Sequence, residues 1–107
     1  MSVFDDREKA FENKYLHDQD LQFKVEVRRN KLLGLWLADE LLGMTGEARD
    51  AYAKEVISAD FEEPGEEDVV RKVMADVEAK GADFSEHRLR NKMEELTAVA
   101  KKQIMDE

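Results

Sequence analysis

Residues 21–42 read LQFKVEVRRNKLLGLWLADELL, and this stretch decides the fold. Its apolar residues, Leu21, Val25, Leu32, Leu33, Trp36, Leu37, Leu41 and Leu42, recur at spacings of three and four, which turns them onto one broad helical stripe. No glycine or proline occurs from residue 4 to residue 33, so nothing in the backbone interrupts a helix there. Trp36 is the largest apolar group on the stripe and is expected in the core.

Toward the C-terminus the punctuation predicts three more helices. Gly43 suits the left-handed position after a helix, and Thr45 is the expected cap of the next one. That helix runs to about Ala59 and buries Tyr52, Val56 and Ile57. An acidic turn follows, Asp60-Phe61-Glu62-Glu63-Pro64-Gly65. Pro64 fits the first position of a third helix, whose free amides favour Glu66, Glu67 and Asp68. Val69, Val70, Val73, Met74 and Val77 form its buried stripe, and Gly81 ends it. Ser85 reads as an N-cap, with Phe84 before it and Leu89 after it forming a hydrophobic staple. Leu89, Met93, Leu96, Ala100 and Ile104 give the last helix its apolar stripe. The loops are short, so successive helices should pack antiparallel. Few runs alternate apolar and polar residues, which argues against a sheet. The expected architecture is all-α: a four-helix bundle over residues 19–107, with residues 1–18 as a mobile N-terminal helical arm.

Toward the N-terminus the pattern thins. Phe4, Phe11 and Tyr15 are spaced by seven and four and share one narrow face, while the rest of the segment is charged or polar. A break in the helix is expected near His17-Asp18-Gln19-Asp20. A helix this polar buries too little surface to order itself firmly. Its aromatic row has the form of a helix-in-groove ligand; that the arm instead folds back over the bundle stays open. Exposed aromatics also leave weak self-association open.

Composition excludes several functions. The 107 residues suit one domain, and 42% of them are apolar, enough for one bundle core. The net charge of −9 makes nucleic acid and anionic membranes poor partners. Residues 1–31 hold seven acids and seven bases, and the remaining residues hold nineteen acids and ten bases, so the imbalance lies entirely in the body. There is no cysteine, which removes disulfide, thiolate-metal and cysteine-nucleophile chemistry. The start of the chain lacks the basic and apolar runs of a secretory signal, and the strongly apolar stretch from Leu32 to Leu42 is too short to span a bilayer. A cytosolic location without membrane insertion is expected.

Catalytic and cofactor motifs are missing. No phosphate loop, GxSxG or HExxH occurs, and His17 and His87 are seventy residues apart. Read as a calcium loop from Asp60, the acidic turn has proline at the fifth position and Arg71 at the twelfth, and both fail. Arg28-Arg29-Asn30-Lys31 is basic but has no aromatic platform for nucleic acid. It is expected to pair with the acidic body or with a protein partner. No enzyme activity, metal or cofactor is expected.

Phe4-Asp5-Asp6-Arg7-Glu8, His17-Asp18, Phe23-Lys24, Arg28-Arg29-Asn30-Lys31-Leu32-Leu33-Gly34-Leu35-Trp36 and Glu63-Pro64-Gly65-Glu66-Glu67-Asp68-Val69 resemble the signature segments of one family. It is the zeta subunit, the ATPase-inhibitor family of alphaproteobacterial F-type ATP synthases. The resemblance runs through essentially the whole chain. It implies a four-helix bundle that inhibits ATP hydrolysis with its N-terminal segment. That segment lodges as a helix between alpha and beta subunits near the central rotor and obstructs rotation in the hydrolytic direction. It also implies a peripheral position at the inner membrane, through the synthase. Carried over by position, the inhibitory segment is Ser2 to about Asp18, with Phe4, Asp5, Asp6, Arg7, Phe11 and Tyr15 as contacts. Leu16, Val25 and Val27 depart from the family pattern: a small residue is usual at the first and alanines at the other two. The competing readings are a helical adaptor of another complex and a bundle that senses an adenine nucleotide.

Overall fold

The computed structural model describes residues 19–60 and 66–107. Helix α1 covers Gln19–Leu37 and passes into a wide turn over Ala38–Leu42; α2 covers Gly46–Ala59, α3 Glu67–Lys80 and α4 Glu86–Asp106. No strand occurs among the described residues, and the fold is all-α, as expected. The break expected near residues 17–20 lies largely outside the described residues; from Gln19 onward α1 is unbroken.

The helix ends show how the sequence sets its own boundaries. Gly43 adopts φ 62°, the left-handed geometry that glycine takes without a Cβ penalty. Its amide and that of Met44 both donate to the Ala38 carbonyl, so the last turn of α1 is wider than an α-turn. Gly81 closes α3 at φ 75°. The Ser85 hydroxyl accepts from the Arg88 amide at 3.2 Å, and Phe84 and Leu89 are both buried, as the staple requires. Thr45 does not act as expected: it precedes α2 but makes no side-chain cap bond. Gly46 follows it at φ 57° and takes the first amides of α2 off the path the hydroxyl would need. Helix α3 begins at Glu67, later than a start at Pro64 would give, and Pro64 itself lies outside the described residues.

One core joins all four helices. Leu33 and Leu37 of α1, Tyr52 and Val56 of α2, Val69, Val73 and Val77 of α3, and Leu89 and Met93 of α4 are buried within it. Polar pairs fix the directions. Arg29 reaches Asp60 and Gly34 faces Ala53, so α1 and α2 run antiparallel; Arg28 reaches Gln103 and Trp36 meets Lys92, which sets α1 against α4 in the same way. Several expected core residues are only half-buried, among them Trp36, Met74, Leu96 and Ile104. Trp36 sits at the rim. Its ring centroid lies 5.7 Å from that of Phe84, and the Lys92 ammonium covers it at 4.6 Å, an arrangement that stabilises a partly exposed indole. Ile57 is half-buried too.

The closest approach is between α1 and α2. A Cβ built on Gly34 would lie 2.6 Å from the Ala53 Cα, inside any tolerable contact distance. Small residues at both positions let the two backbones meet, much as they do where helices cross closely in membranes.

Candidate partner-binding surface

The six contacts expected from the sequence, Phe4, Asp5, Asp6, Arg7, Phe11 and Tyr15, lie outside the described residues. What the structure gives is the platform that follows them in the chain, the first turns of α1 and the elements packed around them.

The basic cluster at 28–31 is the most organised part of that platform. Arg28 donates from Nη1 to the Gln103 side chain at 3.0 Å and pairs with Glu107. Arg29 is almost fully buried. Its Nε donates to the Asn30 side-chain oxygen at 3.1 Å, and its two terminal nitrogens each lie 3.9 Å from a carboxylate, Asp60 at the end of α2 and Glu66 before α3. Glu66 also accepts from Arg90 of α4 at 3.1 Å, and Arg90 reaches Glu67 at 3.1 Å. Arg29 and Arg90 therefore tie α1, the end of α2, the start of α3 and α4 into one ionic array. Of the two expectations for this cluster, pairing with the acidic body holds for Arg28 and Arg29. Nothing in the residue types alone distinguished Arg29 from its neighbours; its i, i+4 relation to Val25 and Leu33 was the available signal, since both are core.

Two further polar groups share this region. Asn30 is 1% exposed, and its amide nitrogen has no hydrogen-bond partner among the described residues. Glu26 carries a carboxyl held above its ordinary range. Partial burial is the main cause, the Asp60 carboxylate adds to it, and Arg29 works against both.

On the far side of the bundle, the Tyr52 hydroxyl donates to Asp76 at 2.9 Å, and Lys72 donates to the same oxygen at 3.1 Å. Burial, then the Asp76 bond, pushes the Tyr52 phenol far up, so it stays protonated. A shallow depression beside it is lined by Leu42, Met44, Glu55, Asp76 and Lys80. Its two carboxylates oppose a polyphosphate; a second depression is lined by Arg71 and Lys72 with Asp68. His87 is exposed and faces Asn91 one turn on. Among the described residues no cluster of three metal-ligating side chains occurs, and no helix is long and apolar enough to cross a membrane. The ion pairs and hydrogen bonds of Arg28, Arg29 and Arg90 brace α1 against the rest of the bundle.

The chain has related proteins. A structure determined by solution NMR is 56% identical, with a TM-score of 0.71; the match covers 80% of this chain and 96% of that one. A search of curated proteins returned no match. The sequence model of the ATPase inhibitor subunit zeta matches residues 1–103, a span that takes in both the N-terminal segment and all four helices nearly to the end of α4. Such an inhibitor subunit is not a catalytic protein, in keeping with the sequence reading. By this match across almost its whole length, the chain belongs to the ATPase inhibitor subunit zeta family.

Proposed function

We propose that this chain inhibits ATP hydrolysis by the F-type ATP synthase, with residues 2–18 as the inhibitory segment and residues 19–107 as the bundle that carries it. In this reading the segment seats as a helix between alpha and beta subunits, close to the central rotor, and blocks rotation in the hydrolytic direction. The protein would then work on the cytoplasmic side of the inner membrane, held there only by the synthase.

The observation that carries the reading is that the family match begins at residue 1 and so takes in residues 1–18, a sparsely apolar stretch with the spaced row Phe4, Phe11 and Tyr15. A helix of that composition buries too little surface to order itself firmly, and a partner groove is what such a row fits. Ordering such a segment costs on the order of 1–2 kcal/mol per residue in backbone entropy, which only filled pockets can offset. Phe4, Phe11 and Tyr15 are the apolar groups able to fill them, and the balanced charges around them, Asp5, Asp6 and Arg7 included, select the register.

Phe11→Ala tests this directly. The variant should weaken inhibition of the catalytic head by tenfold or more, about 1.4 kcal/mol or above, with the melting temperature of the bundle unchanged. Loss of inhibition together with an equal loss of bundle stability would contradict the assignment of Phe11 to the partner.

A further inference from the structure

The core-facing stripes of α1 and α4 run past the ends of the other two helices. On α1 the stripe passes at intervals of four through Leu37, Leu33, Arg29, Val25 and Leu21. On α4 it passes through Leu89, Met93, Ala100 and Ile104. Asp60 at the end of α2 and Glu66 just before α3 both meet Arg29. Helix α2 therefore arrives at the level of Arg29, and α3 leaves from it in the opposite direction, since Tyr52 reaches Asp76 further back. Arg28 meets Gln103 and Glu107, so the last turn of α4 lies alongside the residues just before Arg28. Among the described helices, only α1 and the end of α4 continue beyond Arg29.

Burial follows the same division. Leu33, Leu37, Leu89 and Met93 belong to the main core cluster and are at most 1% exposed. Val25 and Ala100 are as deeply buried, yet stand outside that cluster. The stripe positions next beyond them, Leu21 and Ile104, are half-buried. The two stripes thus end in a small second patch, Leu21, Val25, Ala100 and Ile104, backed by two helices where the main core has four.

We infer that residues 11–15 of the same chain dock on this patch in the free protein, Phe11 and Tyr15 covering Leu21 and Ile104, as an autoinhibitory contact. The docking itself does not depend on the inhibitor reading; its autoinhibitory consequence rests on that reading. The chain itself names the occupant. Residue 18 is joined to Gln19, the first residue of α1, so no linker separates the N-terminal segment from the patch. The helix break expected near residues 17–20 turns the segment back toward the bundle. Tyr15 then precedes residue 18 by as many residues as Leu21 follows it, and the two aromatics are ~6 Å apart along a helix. Phe4 stands ~16 Å before Tyr15 on the same measure, beyond the patch. The patch is small, so the contact is weak and the bundle folds without it. Docking lowers the apparent affinity for a partner in proportion to the fraction of molecules left undocked.

The chain has no cysteine, so a nitroxide label can be placed at a single chosen site on the full-length protein. One label goes on Lys102→Cys, exposed beside the patch, and another on Thr45→Cys, exposed at the opposite end of α1. The loss of amide NMR signal is then read along residues 2–18. Docking predicts that the label at 102 broadens residues 11–15 most strongly and that the label at 45 leaves them sharp. Ile104→Ser, checked for a cooperative melting transition, should abolish that maximum, and so should Tyr15→Ser, which leaves the patch itself intact. Broadening that declines steadily from residue 18 to residue 2, indifferent to both substitutions, would overturn the inference. Broadening seen only between differently labelled molecules would seat the segment on a second copy and overturn it equally. In a titration of ATP hydrolysis by the catalytic head, Ile104→Ser should lower the half-inhibitory concentration about twofold or more; an unchanged or raised value would remove the autoinhibitory role. A wild-type chain that docks but does not inhibit would overturn the inhibitor reading, and that role with it, with the docking itself still supported.

Discussion

Gly34 illustrates how much can depend on one missing carbon. Its Cα faces Ala53 across the α1–α2 contact, and an added Cβ would come within 2.6 Å of the Ala53 Cα. The obstacle is backbone, which cannot rotate away. Gly34→Ala should therefore force the helices apart and cost about 1–3 kcal/mol, a fall of at least ~4 °C in melting temperature. This outweighs the gain in helix propensity of roughly 1 kcal/mol that alanine brings. Adding Ala53→Gly should restore little, because the Ala53 Cα would still be there; full recovery in the double variant would show that the contact is with the side chain. Glu26 gives a second test at this scale. Its folded-state carboxyl is raised above the ordinary 4.5, mainly by burial and then by Asp60. A raised acid favours the fold in its protonated form, so that contribution is complete below the ordinary value and lost as pH rises through the raised one. Glu26→Gln should accordingly melt higher than wild type at about pH 8, with the difference gone by about pH 4. A difference that grows toward acid would reverse the assignment.

Among the elements, α4 shows the closest agreement between residue pattern and outcome, and α1 the least. Ser85 caps α4 through the Arg88 amide, so Ser85→Ala should cost about 1 kcal/mol, measurable by denaturant unfolding; no change would mean that the cap is not formed in solution. Capping of this kind is legible because it needs only a hydroxyl and the right offset. The stripe of α3 is legible for the same reason: four buried valines at helical spacing leave one way to pack. Thr45 failed as a cap because the conformation of the neighbouring Gly46 decides whether its hydroxyl can reach, and residue identity at 45 does not encode that. Trp36 was placed too deep because size argues for burial, while the Lys92 ammonium over its ring makes a rim position stable. The wide turn at Ala38–Leu42 had no local signal at all. Taken as a basic cluster that pairs with the acidic body or a partner, residues 28–31 give no sign that Arg29 and Asn30 are buried, although the spacing of Val25 and Leu33 places Arg29 on the buried side. The ionic array that Arg29 joins depends on where α2 ends and α3 begins, which only the assembled fold supplies.

For the whole molecule, the number of helices, their approximate ends and their antiparallel order follow from periodicity and punctuation, because each bundle helix must bury one stripe. The binding site is a different matter. The six expected contacts of residues 4–15 rest on an aromatic row and on family likeness, and neither is a packing constraint within the chain. That a self-sufficient bundle carries a segment reserved for a partner is the central claim. It is tested by titrating ATP hydrolysis of the cognate catalytic head with the full chain and with a truncated chain beginning at Asp20, after confirming that the truncated chain keeps its cooperative melting transition. The account predicts that the full chain inhibits and the truncated chain, still folded, does not. Inhibition by the folded truncated chain at the same concentrations would contradict it and move the inhibitory surface onto the bundle.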